Sequence, residues 1–367
     1  MSFRGATFFF GGRLSFQRPH IGDDGGTCHY LLDIEKFCIY PIPSRAREHR
    51  GRGDLMKKKD KWAFIINPIA GNGEAGRFAP TVAGMIRRHG IDAETAFTTG
   101  KGHATELAAD FVKKKFSHVV AVGGDGTFSE VVHGLVGKKN VIFGAVPAGT
   151  GNDFIAITGF PERFGDAEWE TFFRCPVARM DVGRCNDMHF INGMGLGFDA
   201  QVAWENYNST LHSRVKGGSK SKYVWHILKT LLFFKGTTMN LTANGTTRPA
   251  QSFLNTIANG RRLAGGFYLT PQAVADDGLL DICMISEIPV HTRIKELIHV
   301  IKGTHLRDDV VRYFRTDRMT IDFGREVPAH LDGELYFNQR FDIGVLPGAI
   351  GIIYNPAGKH FFGKAVR

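Results

Sequence analysis

From Lys61 onward the apolar positions alternate between two periods. Trp62–Ile66 is an uninterrupted apolar run, the pattern of a strand buried on both faces. It ends at Asn67-Pro68 and the turn Gly71-Asn72-Gly73. Phe78, Val82, Met85 and Ile86 then recur at i, i+4, i+7 and i+8, one face of a helix that Gly90 stops. Ala93–Phe97 predicts a second strand. Ala104, Leu107, Ala108, Phe111 and Val112 predict a second helix, closed by lysines that suit its C-terminus. Residues 118–122, 128–136 and 141–146 predict strand, helix and strand. This alternation predicts a doubly wound α/β domain, a parallel sheet with helices on both faces.

After about Met180 the texture changes. Short apolar or alternating stretches at 188–192, 239–242, 251–258, 280–285, 319–323 and 341–346 are separated by turn residues. They predict an antiparallel β-sandwich, interrupted by helices over 222–235 and 292–301. The expected division is therefore 59–180 for the α/β domain and 181–346 for the sandwich. A C-terminal segment, 347–367, is expected to pack back on the first domain. Residues 1–58 show no sustained period and are rich in Gly, Arg and Pro. They are expected to be a disordered basic extension, with a start at Met56 as the other reading.

Composition narrows the function classes. The 367 residues are 43% hydrophobic and 22% charged, ordinary for a globular chain long enough for two domains. No apolar run approaches the roughly 18 residues of a membrane span. The closest, 223–234, is interrupted by His226 and Lys229. The net charge of +10 points to an anionic partner or to solubility. No aromatic-plus-basic motif accompanies it, so nucleic acid is not expected. The five cysteines are dispersed and form no Cys-x-x-Cys pair, which argues against a disulfide framework and a zinc site and for a reducing compartment.

Three glycine-rich turns follow strands, at the edge where ligands bind in such sheets. Gly123-Gly124-Asp125-Gly126-Thr127 sits between a strand and a helix. Its backbone N–H groups could approach phosphate, and Asp125 could hold Mg²⁺ directly or through water. A tight turn with an Asp–Thr cap is the plainer reading. Pro147-Ala148-Gly149-Thr150-Gly151-Asn152-Asp153 offers the Thr150 and Asn152 side chains. Asp153 could bind a metal's water or cap the next helix. Asn67-Pro68-Ile69-Ala70-Gly71 nearly matches a Walker A loop, but Arg77-Phe78 stands where Lys-Ser/Thr is required. Any phosphate contact there must come from backbone and Asn67.

Together these blocks resemble the diacylglycerol kinase catalytic-domain family, in its bacterial lipid-kinase branch, related to sphingosine and ceramide kinases. The resemblance runs from about Trp62 to about Ile353. It also rests on Thr98 to Ala104, Gly123 to Glu130, Pro147 to Phe154, Asn192 to Ala200, Asn259-Gly260 with Gly265-Gly266, Asp276 to Asp281, and Leu331-Asp332-Gly333-Glu334. It implies an ATP-binding first domain and a lipid-binding second one. ATP would be held by Asn67, Pro68, Ile69, Ala70 and Gly71, by Thr98, by Gly124 through Phe128, Ser129 and Glu130, and by Thr150. Asp332 would be the general base for a lipid hydroxyl, with Glu334 beside it. Asp125 and Asp153 would join the network around a catalytic Mg²⁺. A second, structural metal would use the Asp277 carboxylate and the carbonyls of Val274 and Leu279. Two departures stand out: Ser129 where the family usually has Asn, and Ile155-Ala156-Ile157 after the Asn-Asp-Phe block.

The resemblance thus implies an ATP- and Mg²⁺-dependent kinase of a lipid alcohol, cytoplasmic and peripheral to a membrane surface. An NAD kinase, which shares the Gly-Gly-Asp-Gly-Thr loop, and a non-catalytic nucleotide- or lipid-binding regulator are the alternatives. A homodimer is left open. Taken alone, Asp332-Gly333 and Asp276-Asp277-Gly278 are turn signals. The helix over 223–234, with apolar Val224, Ile227, Leu228, Leu231 and Leu232 flanked by lysines, is either a membrane-surface helix or a core helix.

Overall fold

The computed structural model describes residues 60–211, 220–243 and 245–363. The expectations for residues 1–58 lie outside them, and so does the end of the C-terminal segment. The first lobe opens with β1 (Trp62–Ile66), α1 (Ala70–Arg88), β2 (Ala93–Phe97), α2 (His103–Lys113), β3 (His118–Gly123), α3 (Asp125–Leu135) and β4 (Ile142–Pro147). The four strands are parallel in the order β2-β1-β3-β4, with Ile66 opposite both Phe97 and Val122. Phe64, Ile65 and Ile66 are wholly buried, which is why β1 reads as a continuous apolar run. Each such side chain contributes about 1.5–3 kcal/mol of transfer free energy.

Two short helices, α4 (Ile155–Thr158) and α5 (Asp166–Phe173), lead to β5 (Val177–Cys185). The second lobe continues with β6 (Met188–Phe190), β7 (Gly193–Gly197), α6 (Phe198–Leu211), α7 (Lys220–Phe233), β8 (Thr237–Ala243), β9 (Thr246–Ser252), β10 (Leu254–Ala258) and β11 (Leu280–Ile285). Then come α8 (Val290–Lys302), β12 (Val311–Thr316), β13 (Arg318–Leu331) and β14 (Glu334–Ile353). This is an antiparallel β-sandwich. Its layers enclose Phe190, Met194, Leu196, Leu241, Ile257, Ile321 and Phe341. A separate core, with Ile227, Leu231, Phe253, Ile285 and Val300, fills the space beneath α6, α7 and α8.

The single stretch expected over 251–258 is two strands. β9 pairs with β8, while β10 pairs with β7 and β11, so the chain changes partners at Phe253. Strands, not linkers, join the lobes. β5 runs through residue 180, and the 20-residue β14 runs through residue 346. β14 pairs with β13 at its start and with β4 at Gly351 and Ile352. No described helix is long and apolar enough to cross a membrane.

Candidate active site

The three glycine-rich turns meet at the carboxyl edge of the parallel sheet. A Cβ on Gly149 would stand 2.3 Å from the Gly124 Cα, and one on Gly71 would stand 2.4 Å from the Ala148 carbonyl oxygen. Only glycine permits this backbone-to-backbone contact. The Ala148 N–H donates to the Gly123 carbonyl at 2.7 Å, and the Asn67 N–H to the Val122 carbonyl at 3.0 Å. Asn67 Nδ2 also donates to Thr127 Oγ1 at 3.0 Å. α3 begins directly after Gly124 with no side-chain cap. The Thr127 and Phe128 N–H groups return to the Gly124 carbonyl, and those of Asp125 and Gly126 carry no side-chain cap, as an anion site at a helix N-terminus requires, so the Asp–Thr cap is not what forms.

The groove is lined by Asn67, Ile69, Ala70, Gly71, Thr98, Gly124, Gly126, Thr127, Glu130, Gly149 and Thr150. Several expected nucleotide contacts hold the walls instead. The Glu130 carboxylate accepts from the Gly102 N–H at 2.9 Å and the Ala104 N–H at 3.3 Å, fixing the start of α2. Asn152 folds onto Gly149, accepting its N–H at 3.1 Å and donating to its carbonyl at 2.9 Å. Phe128 is core, and Pro68 lies against Gly76 of α1. Gly123 closes β3 against Thr127. Lys101, which sequence reasoning passed over, also lines the groove and ion-pairs with Glu334 from the other lobe. A lysine in a glycine loop between strand and helix was its legible signal.

Asp332 and Gly333 form the two-residue turn between β13 and β14, with φ of 47° and 88°. Successive left-handed residues are the primed hairpin geometry that Asp-Gly favours. The turn divides two carboxylates. Glu334 faces the groove. Asp332 enters a second cavity with Asp125, Asp153, Asp199 and His330. There its Oδ1 accepts the N–H groups of Asn192 and Gly193 at 2.9 and 3.0 Å. Its Oδ2 accepts the Ile191 N–H at 2.7 Å and the Ser129 hydroxyl at 3.0 Å. Backbone donors leave no side-chain signature, so the 191–193 cradle was invisible beforehand.

Asp125 accepts the N–H groups of Asp153 and Phe154, each at 3.0 Å. Burial pushes its carboxyl up to about 6 against those bonds, and the charges of Asp153 and Asp332 add to the rise. Burial also raises Asp153, opposed by the Gly265 N–H at 2.6 Å and by Arg262. The buried Asp153 Oδ1 has no hydrogen-bond partner, only the Arg262 guanidinium at 3.6 Å. Crowded acids with an oxygen left without a hydrogen bond fit a hard divalent cation. Among the described residues the one group of three acid or histidine ligand atoms within 4.8 Å of one another is Glu296, His299 and Asp308, outside this cavity. Asp277 lies elsewhere. Its carboxylate accepts the Leu279 N–H at 3.0 Å and pairs with Arg315 at 3.3 Å. The Arg315 guanidinium would therefore compete with an ion held by the Asp277, Val274 and Leu279 set.

Beyond Asp199 and Ala264, which line both spaces, the Asp332 cavity adjoins an apolar one walled by Phe198, Val202, Ile227, Leu231, Phe267 and Leu297.

Known proteins match this architecture. The diacylglycerol kinase catalytic domain family model matches residues 61–185. The YegS C-terminal NAD kinase beta sandwich-like domain matches residues 193–354. A "Probable lipid kinase YegS-like" protein of Chromohalobacter salexigens is 30% identical over 301 residues, covering 79% of this chain and 92% of that one. A diacylglycerol kinase of Bacillus subtilis is 26% identical, covering 79% and 93%. A crystal structure from Bacillus anthracis strain Sterne superposes with a TM-score of 0.67 at 25% identity, over 84% of this chain and 100% of that one. Another from that strain, of a diacylglycerol kinase, gives 0.61 at 23% identity, over 82% and 98%.

Proposed function

Because this chain belongs to the diacylglycerol kinase catalytic-domain family of lipid kinases, we propose that it transfers the γ-phosphoryl group of ATP to the hydroxyl of diacylglycerol or a related lipid alcohol, with Asp332 as the general base and Mg²⁺ as the cation. The observation that carries this reading is the Asp332-Gly333 turn, which sets one carboxylate in the phosphate groove's neighbour cavity and the next in the groove itself. Phosphoryl transfer asks mainly for positioning, charge neutralisation and a proton acceptor.

Each part has a residue. The uncapped start of α3 and the backbones of Gly71, Gly124 and Gly149 hold the phosphates. Lys101 reaches them by exchanging Glu334 for a phosphate oxygen. Mg²⁺, when bound, neutralises phosphate charge, and Asp125 and Asp153 are the acids suited to hold it. The lipid's apolar chains lie in the cavity beyond Asp199 and Ala264. The three N–H groups of residues 191–193 fix the Asp332 carboxylate, whereas the Ser129 hydroxyl can rotate away. The lipid hydroxyl takes its place at Oδ2 and passes its proton there as its oxygen attacks the γ-phosphorus. The bond to the β–γ bridging oxygen breaks, and ADP departs.

The dispersed cysteines, of which Cys175, Cys185 and Cys283 are free thiols, suit a reducing cytoplasm. Incubation with labelled ATP and a panel of lipid alcohols or NAD separates the enzyme readings. Label extracting into chloroform is expected. Label that enters only a water-soluble product would overturn the lipid assignment in favour of an NAD kinase, and no transfer to any acceptor would favour a regulator.

A further inference from the structure

α8 is built inside out. Its inward face carries Arg293 and Glu296, both buried, with Leu297 and Val300. Its outward face carries Val290, Ile294, Ile298 and Ile301, all exposed, Ile294 by 53%. Their spacing of i, i+4, i+8 and i+11 places them in one stripe. The buried arginine is satisfied. It donates to the Leu231 carbonyl of α7 at 2.6 Å, pairs with Glu287 at 2.6 Å and lies over the Phe253 ring. α7 repeats the arrangement. Ile227 and Leu231 are buried, while Leu228, Leu232, Trp225 (64%) and Phe233 (76%) face outward. Single exposed apolar residues need no explanation, but a set this large on two bonded helices does.

The same two helices wall the apolar cavity with their inner faces, through Ile227 and Leu231 of α7 and Leu297 and Val300 of α8. The sequence around α7 is cationic: no Asp or Glu occurs between Glu205 and Asp276, a stretch carrying Arg214, Lys216, Lys220, Lys222, Lys229 and Lys235, of which Lys229 pairs with Glu205 at 3.1 Å. Lys302 closes α8 on its exposed side. An apolar stripe on a lysine-rich stretch of chain matches a bilayer with an anionic surface, where the stripe enters the acyl boundary and the lysines meet the headgroups.

We propose that the outer faces of α7 and α8 form a docking surface for an anionic lipid bilayer, delivering a lipid between the two helices into the apolar cavity. This deepens the lipid-kinase reading and rests on it for the purpose of docking, though not for the docking itself.

The test compares the full-length protein with an Ile294→Glu/Ile298→Glu variant by flotation on phosphatidylcholine vesicles, with and without 30% phosphatidylglycerol. Neither position lines the cavity, and a variant melting within about 2 °C of wild type is scored as folded. Wild type is expected to bind the mixed vesicles at least tenfold better than neutral ones, and the variant to lose at least tenfold of that binding. The variant should keep its activity, within about twofold, on a short-chain diacylglycerol dissolved as monomers. Equal vesicle binding by variant and wild type overturns the proposal. So does a wild-type dimer that the variant converts to monomer with vesicle binding unchanged, which would assign the face to a second copy. Vesicle binding lost as expected, but with no transfer to any lipid by wild type, upholds the docking surface and overturns the kinase reading instead.

Discussion

Replacing Asp332 with Asn tests the proton acceptor and its cradle together. The carboxylate accepts four hydrogen bonds, two on each oxygen. In the variant, the amide oxygen is best placed at Oδ1, where it keeps the N–H groups of Asn192 and Gly193. The amide nitrogen then stands at Oδ2, 2.7 Å from the Ile191 nitrogen, which is also a donor. The Ser129 hydroxyl can turn to accept from the amide; the Ile191 N–H cannot. One part-buried donor is orphaned and the remaining bonds lose their charge assistance, a cost of about 2 kcal/mol. For a chain of this size that is a fall in Tm of several degrees. Loss of a general base lowers kcat by about 10²- to 10⁴-fold. Asp332 does not line the nucleotide groove, so the Kd for ATP should change by less than about twofold. The assay is initial rates of chloroform-extractable label, with ATP binding by calorimetry and melting in parallel. Ser129→Ala is the companion. It removes one movable donor and orphans nothing on the backbone, so kcat should change by less than about tenfold. Turnover of the folded Asn variant within tenfold of wild type would refute the assignment of Asp332. A loss of ATP affinity as large as the loss of rate would refute the separation of the two cavities.

Other perturbations probe other parts of the site and fold. Gly149→Ala would set a Cβ 2.3 Å from the Gly124 Cα, where only backbone movement can relieve it. A loss of roughly 1–3 kcal/mol and a clear weakening of ATP binding are expected, and unchanged ATP affinity would argue against the three-loop site. Lys101→Ala removes an exposed ion pair with little effect on melting, but should raise the KM for ATP about three- to tenfold at constant kcat. Asp281 is buried, and burial pushes its carboxyl up to about 6 despite the Tyr313 hydroxyl. Its native state therefore holds a proton that the unfolded chain releases first, and its contribution to stability falls as pH rises from about 4 through 6. Asp281→Asn should be more favourable at pH 8 than at pH 4 by up to about 3 kcal/mol. Urea melts giving the same difference at both values would contradict the shift.

What the sequence could and could not disclose follows from where the information sits. β1, β3 and β4 are buried on both faces, so their apolar runs announce them. The glycines at 71, 124 and 149 are required by backbone approach, and such positions punctuate a sequence plainly. β7, Gly193–Gly197, is a different case. It is a central strand written largely in glycine, because its neighbours crowd it. A Cβ on Gly195 would strike the Asp199 carboxylate and the His330 ring, and one on Gly193 the Leu263 side chain. No propensity scale reads such a segment as strand, yet its first residue and the two before it supply the N–H groups that hold Asp332. The base and its cradle thus come from opposite extremes of legibility. Asp-Gly is a common hairpin signal whose side chain happens to be functional, and the cradle has no side chains at all.

The inverted helix α8 makes the same point at the surface. Its sequence has a clean helical period, which predicts the element, and the ordinary assignment of such an apolar stripe is to the core. The assignment reverses because Arg293 finds three partners inside, the Leu231 and Ile288 carbonyls and Glu287. A buried guanidinium with its donors met is tolerable, and its planar fork also ties α7 to α8. Once Arg293 faces inward, helical geometry turns Ile294, Ile298 and Ile301 outward. Arg293→Met should therefore weaken the tie between α7 and α8 more than it weakens the sandwich. Hydrogen exchange is expected to rise at least tenfold in α7 and α8 while β10 and β11 stay protected. Uniform loss of protection across the second lobe would mean that Arg293 supports the whole core and does not set the orientation of one helix.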